Sequence, residues 1–254
     1  MKKLFAVLLS AMLLLAMAAC GEQPQTPDDT QEPAVLHMAT EGTFPPYEYY
    51  DNGQLVGIDI EVAGAIAEKL GMKLEVVDIA FDSIVSGVQA GKYDMGMAGM
   101  TVNEERLEKV NFSDSYATGI QVVIVKEGGK VKSLDDMAAD GVVIGTQSGT
   151  TGFIYASGDF GDDHVKSFTK TTDAVEALKN GQVDCVLLDN APAEALVDAN
   201  PDAGLSILET AYTVEDYAIA INKENTDLQA KINAALAELV ADGTLQSIID
   251  KYIK

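Results

Sequence analysis

The residues able to carry charge chemistry are unevenly supplied. Of the 17 basic residues in this 254-residue chain, 16 are lysine, and Arg106 is the only arginine. A guanidinium is planar and matches a carboxylate with two parallel hydrogen bonds, which an ammonium cannot do. Read alone, the neighbours Glu105, Glu108 and Lys109 make Arg106 one residue of a solvated helix face. Asp189 follows the apolar run 183–188. A carboxylate there either emerges at a cleft edge or caps the next helix. Gly149, Thr150 and Thr151 lie where a strand run turns into a helical one. Backbone N–H groups and the helix dipole at such a turn favour an anion, although an ordinary turn explains the residues equally well. Thr101-Val102-Asn103-Glu104 has capping-box spacing, so the Thr101 hydroxyl serves a helix cap, a ligand, or both.

Other chemistries find no support. Asp and Glu number 40, and the formal net charge of −23 removes the basic footprint that nucleic-acid binding requires. With 47% hydrophobic residues the chain is also not a disordered acidic segment. Gly145-Thr146-Gln147-Ser148-Gly149 lacks the spacing of a nucleophile elbow. His37 and His164 are the only histidines and form no paired signature. No Cys/His cluster for zinc and no acidic loop for calcium is present, so neither metal nor cofactor is expected.

The N-terminus reads as an address. Lys2 and Lys3 precede an apolar run over residues 4–19, broken only by Ser10 and short for a bilayer span. Met17-Ala18-Ala19-Cys20 resembles a bacterial lipobox, with Met17 where leucine is usual. That predicts a signal peptide over 1–19, a lipid such as palmitate on Cys20, and anchorage outside the cytoplasm. Residues 20–33 lack large apolar side chains and read as a flexible tether. Cys185 would then be the only thiol, and its apolar surroundings predict a buried, inert side chain.

The remainder alternates strand and helix signals. Strand runs are read at 35–40, 72–78, 93–98, 120–126, 142–146, 164–169, 183–188 and 217–221. Gly42, Pro45 and Pro46 are read as breaking regular structure after the first. Helical periodicity is strongest over 57–70, where Ala63, Ile66, Ala67 and Leu70 fall at i, i+3, i+4 and i+7 before Gly71. Further helices are read at 82–90, from 150, at 172–180, 192–199 and 245–253, with another marked by Leu228, Ile232, Ala235, Leu236 and Leu239. This rhythm predicts an α/β fold with largely parallel sheets and two lobes.

Four segments in register carry a resemblance. They are 39–47 (ATEGTFPPY), 57–62 (GIDIEV), 98–106 with 111–116 (AGMTVNEER, NFSDSY), and 145–151 (GTQSGTT). In this order they resemble the bacterial extracellular solute-binding proteins of family 3, the amino-acid receptors of ABC importers. The resemblance covers essentially everything after the tether. It implies a two-lobed, type II periplasmic-binding-protein-like clamp with two crossover hinge strands. The first lobe would span 34–115 and 218–254, the second 121–212, with crossings at 116–120 and 213–217.

The same resemblance assigns roles. Arg106 takes the ligand carboxylate, joined by backbone groups at Gly149, Thr150 and Thr151, and Asp189 takes the ammonium. Gly99, Met100 and Thr101 line the first-lobe strand end, and Phe44 and Phe81 flank the ligand side chain. Glu41 reads its distal group, and Gln147 stands where some relatives carry lysine. With no second cation in the set, a basic or amide side chain is expected, with Arg, Lys or His ahead of Gln. The implied protein is a monomeric binding protein, not an enzyme, that delivers a free amino acid to a membrane permease. An amino-acid sensor module and a dehydratase on the same fold are the alternatives.

Overall fold

In the computed structural model, residues 33–253 are described. The signal-peptide, lipobox and Cys20 assignments, and the tether up to residue 32, lie outside them. The chain divides into Met1–Pro33 and Ala34–Lys254, and the fold below is that of the second unit.

The first series runs β1 (Val35–Thr40), β2 (Thr43–Phe44), β3 (Glu48–Asp51), β4 (Gln54–Val56), α1 (Ile58–Lys69) and β5 (Lys73–Asp78). It continues through α2 (Ile84–Gln89), β6 (Met95–Gly96), α3 (Glu104–Lys109) and β7 (Asn111–Phe112). Helix α1 keeps the expected face: Val62, Ala63, Ile66 and Ala67 are all buried. Leu36 and Met38 of β1 join the same core cluster. Strands β5, β1 and β6 pair in parallel, which places their C-terminal ends side by side. Three elements depart from the sequence reading. The 93–98 run yields only two residues of strand. The segment expected to be irregular after Gly42 forms a small antiparallel sheet, β2-β3-β4. Helix α3 is capped not by Thr101 but by Asn103, whose side chain accepts from the Arg106 N–H at 2.8 Å.

The chain then leaves in the long β8 (Ala117–Lys126). It continues through β9 (Ile144–Gln147), α4 (Thr151–Phe160), β10 (Val165–Phe168), α5 (Thr171–Lys179), β11 (Cys185–Asp189), α6 (Asn190–Asp198), β12 (Leu205–Ile207) and β13 (Thr213–Tyr217). The second sheet has the order β10-β9-β11-β8-β12, with β13 also on β8. It is mixed rather than largely parallel. Strands β10, β9 and β11 are parallel, while β8 runs antiparallel to β11, β12 and β13.

The return path resolves a run that the sequence shows as one strand. Tyr217 ends β13 in the second sheet, whereas β14 (Ala220–Ile221) belongs to the first, between β6 and β7. The outgoing and returning segments lie against each other, with Ala117 opposite Tyr217 and Gln121 opposite Thr213. Helices α7 (Thr226–Ala241) and α8 (Thr244–Tyr252) then complete the first core through Ile232, Leu236, Leu239 and Ile248. No helix among the described residues is long and apolar enough to cross a membrane.

Cys185 is fully buried in a second-sheet cluster with Val123, Ile144 and Leu187. Burial pushes its thiol up to about 12, so almost no thiolate forms at neutral pH. In a C20S variant, Ellman's reagent should therefore leave the native protein unlabelled and titrate one thiol after denaturation in guanidinium. Rapid native labelling would contradict this packing.

Candidate functional site

The strand ends of both sheets meet at one cavity. Its lining includes Glu41, Phe44, Phe81, Gly99, Thr101 and Arg106 from the first series, and Gln147, Thr150, Thr151 and Asp189 from the second. Ten of the twelve positions named from sequence thus line it, and Gly149 meets Arg106 beside it through its carbonyl. The exception is Met100, which is fully buried in the core cluster with Ala39, Ile84 and Ala218 instead of lining the cavity. It alternates with Gly99 and Thr101 along the chain, so its side chain leaves on the other side.

Arg106 is not on a solvated face. It is 6% exposed, because α3 turns it inward while Glu105 and Lys109 pair with each other outside. Its Nη1 donates to the Thr101 carbonyl at 2.5 Å and its Nη2 to the Gly149 carbonyl at 3.0 Å. The guanidinium carbon stands 5.3 Å from the centre of the Phe81 ring. Burial pulls the guanidinium down to about 10, opposed by the charges of Glu215 and Asp189. It is still a cation at neutral pH.

Gly149 lies at φ 75°, and a Cβ there would come 2.9 Å from the Asp82 Cβ of the first series. Only glycine allows this approach without displacement. Thr150 caps α4, accepting from the Phe153 N–H at 3.2 Å. Thr151 opens the helix, whose N-terminal groups face the cavity wall shared with Arg106.

The acids sit opposite. Asp189 occupies the N-cap position of α6, yet its side chain makes no cap bond; it accepts from the Tyr217 hydroxyl. Burial raises its carboxyl to about 7, with Glu215 adding repulsion. Glu41 accepts from Thr43 Oγ1 at 2.8 Å and from Gln147 Nε2 at 3.2 Å, and burial raises its pKa above the usual value. Gln147 is held on both sides: Nε2 also donates to the Thr169 carbonyl, and Oε1 accepts from Thr171 Oγ1. The Arg106–Gly149 and Glu41–Gln147 bonds both span the cleft, so the structure is of the closed clamp.

Three carboxyls were not singled out from sequence. Glu48 lines the cavity. Asp59 accepts from the Gly99 N–H at 2.9 Å and the Tyr116 hydroxyl at 2.8 Å, which fixes the strand end at Gly99. Glu215 accepts from Thr101 Oγ1, Gln121 Nε2 and Thr151 Oγ1 through one oxygen and from the Tyr155 hydroxyl through the other. It ties Thr101 and Thr151, from the two sides of the cleft, to the crossing strand β13. Period-two alternation could have found Glu215, since it shares a face with the buried Tyr217. Glu48 depends on the missed β2-β3-β4 sheet and had no such signal.

A buried cation facing buried acids across a closing cleft defines a clamp for a small zwitterion. The sequence profile of the bacterial extracellular solute-binding proteins, family 3, matches residues 36–254, and this chain belongs to that family. A probable histidine-binding protein of Neisseria gonorrhoeae is 32% identical, over 99% of this chain and 96% of that protein. The arginine-binding extracellular protein ArtP of Bacillus subtilis is 27% identical, over 99% and 98%. Among solved structures, an ancestral arginine-binding protein bound to arginine superposes with a TM-score of 0.82. It is 43% identical, over 87% of this chain and 99% of its own.

The acids carry a stability consequence. Below about pH 4 Asp189 is protonated whether folded or unfolded, and its burial costs little. As pH rises the unfolded carboxyl ionises first, so stability falls until the native group ionises near 7. Ligand-free D189N should therefore melt higher than the wild type at pH 8, with a smaller gap at pH 5. Thermal unfolding at the two pH values measures this, and a lower melting point for D189N at pH 8 would contradict it.

Proposed function

We propose that this chain is the ligand-binding component of an ABC importer for an amino acid with a cationic side chain, arginine first. The observation that carries the reading is the charge balance of the cavity. Its lining holds one cation, Arg106, against three acids, Glu41, Glu48 and Asp189. A zwitterion matches Arg106 with its carboxylate and Asp189 with its ammonium, leaving two buried acids without a counter-charge. A ligand whose side chain is also cationic supplies one. The flanking Phe44 and Phe81 rings suit an aliphatic stem and a guanidinium. The arginine- and histidine-binding relatives support the same ligand class.

In this reading the two lobes, 34–115 with 218–254 and 121–212, move about the paired segments 116–120 and 213–217. Ligand on one lobe adds contacts only when the other arrives, so it shifts the population toward closure. The closed form is then read by a membrane permease. Calorimetry against all amino acids should give arginine as the tightest ligand, then lysine and histidine, then glutamine. Aspartate and glutamate should be weakest. R106A should weaken every ligand roughly a hundredfold with an unchanged circular dichroism spectrum, because a carboxylate is left buried without its partner. Glutamate as the tightest ligand, or an unaffected R106A, would refute the assignment.

The reading extends to the N-terminus: residues 1–19 are a signal peptide, Cys20 carries the lipid, and residues 20–33 tether the clamp outside the membrane. Cells expressing the chain should incorporate labelled palmitate into it, and C20S should abolish the label. Label retained in C20S would refute the anchor.

A further inference from the structure

Glu215 lies in the middle of β13, between the exposed Val214 and Asp216. It is buried, yet it is not among the residues that line the cavity. Four donors converge on its carboxylate. Oε2 accepts from Thr101 Oγ1 at 3.1 Å, Gln121 Nε2 at 2.9 Å and Thr151 Oγ1 at 3.0 Å. Oε1 accepts from the Tyr155 hydroxyl at 2.9 Å.

The donors differ in origin. Gln121 lies on β8, beside β13 in the second sheet. Thr151 and Tyr155 lie on α4, which packs against β9 and β11 of that sheet. These three satisfy the carboxylate from within the second series. Thr101 comes from the first series. It forms a bridge to Tyr217, and the Val102 N–H donates to the Asp216 carbonyl at 3.1 Å, so the first series is joined to the crossing strand at this point. The Thr101 hydroxyl adds a charge-assisted bond that exists only while the first series stands against Glu215. Thr101 also carries the link onward, because its carbonyl accepts from Arg106 Nη1.

We propose that Glu215 is a positioning residue for ligand binding: through Thr101 it seats Arg106 against the second sheet and holds the closed arrangement that retains the ligand. The link favours the closed form, so it slows escape and leaves encounter unchanged. It reads no ligand side chain, so every amino acid that binds is retained by the same factor. Positioning of this kind rests on the hinged-clamp reading above.

E215Q isolates the charge-assisted part of the link. The glutamine oxygen can keep the three donors of Oε2, and the Tyr155 hydroxyl can accept from the new amide, so the fold is preserved. Stopped-flow tyrosine fluorescence with L-arginine and L-glutamine measures association and release. E215Q should speed the release of both about tenfold, since a hydrogen bond to a charged group is replaced by one to a neutral group. Association rates should stay within about twofold, and the arginine-to-glutamine affinity ratio within about threefold. T101V should speed release in the wild type and by a smaller factor in E215Q, where the bond it removes is already weakened. An E215Q protein that melts at a lower temperature but releases ligand at the wild-type rate overturns the proposal, because its glutamate is structural only. Equal factors for T101V in the two backgrounds overturn it too, as does an arginine-to-glutamine ratio that shifts more than about tenfold, which marks direct action on ligand charge. X-ray scattering of the wild type with and without arginine should show compaction on binding. Binding without compaction overturns the hinged-clamp reading itself, and the role of Glu215 with it.

Discussion

A guanidinium taken out of water must be met by partners on every side, and the cleft is arranged around that requirement at Arg106. Its N–H groups reach the Thr101 and Gly149 carbonyls, its face lies against Phe81, and Glu215 and Asp189 supply opposing charge. These partners come from both sides of the cleft. A buried charge deprived of a partner costs several kcal/mol, so an opened cleft leaves Arg106 short of its Gly149 bond until water or a ligand carboxylate replaces it. A lysine would serve less well, since an ammonium lacks the planar face that lies against Phe81 and the fork that matches a carboxylate.

The acids of the cleft are held with less compensation. Asp189 and Glu48 sit in low-dielectric surroundings with one hydroxyl donor and no donor, respectively. Such groups lower the stability of the empty protein at neutral pH, and they persist because the surrounding packing over-determines their positions. The elements that hold them are short: two- and four-residue strands, a strand end, and the first turn of α1. The cleft therefore holds buried carboxyl oxygens with little compensation. A ligand that brings hydrogen-bond donors to these carboxyls relieves that cost.

Glu215 links this chemistry to the connection between the sheets. It lies on β13, which pairs with the outgoing β8, and it gathers hydroxyls from Thr101 and Thr151. The Thr151 oxygen in turn accepts from Gln121 Nε2, so the two hydroxyls, the amide and the carboxylate form one network. The crossing segment and the cavity-lining threonines are thus one hydrogen-bonded unit.

Much of this was legible in the sequence where burial follows a period. The α1 face, the β1 and β11 runs, the α4 start after Gly149 and the burial of Cys185 all come from local patterns that tertiary packing did not override. Where the reading fell short, a long-range constraint decided. The run 217–221 is one apolar strand by pattern, but its two ends pair with different sheets. Pro45 and Pro46 argue against regular structure, but three short strands close on each other around them. Arg106 sits amid charged neighbours that belong outside, yet the pitch of α3 points it alone inward. The sequence by itself determined the α/β alternation, the identity of the lone arginine and the set of segments that meet at strand ends. Only the tertiary structure decided that Glu48, Asp59 and Glu215 join Glu41 and Asp189 around the cleft, because that depends on which strands, helices and crossing segments pack together, and local spacing shows at most that a side chain is buried.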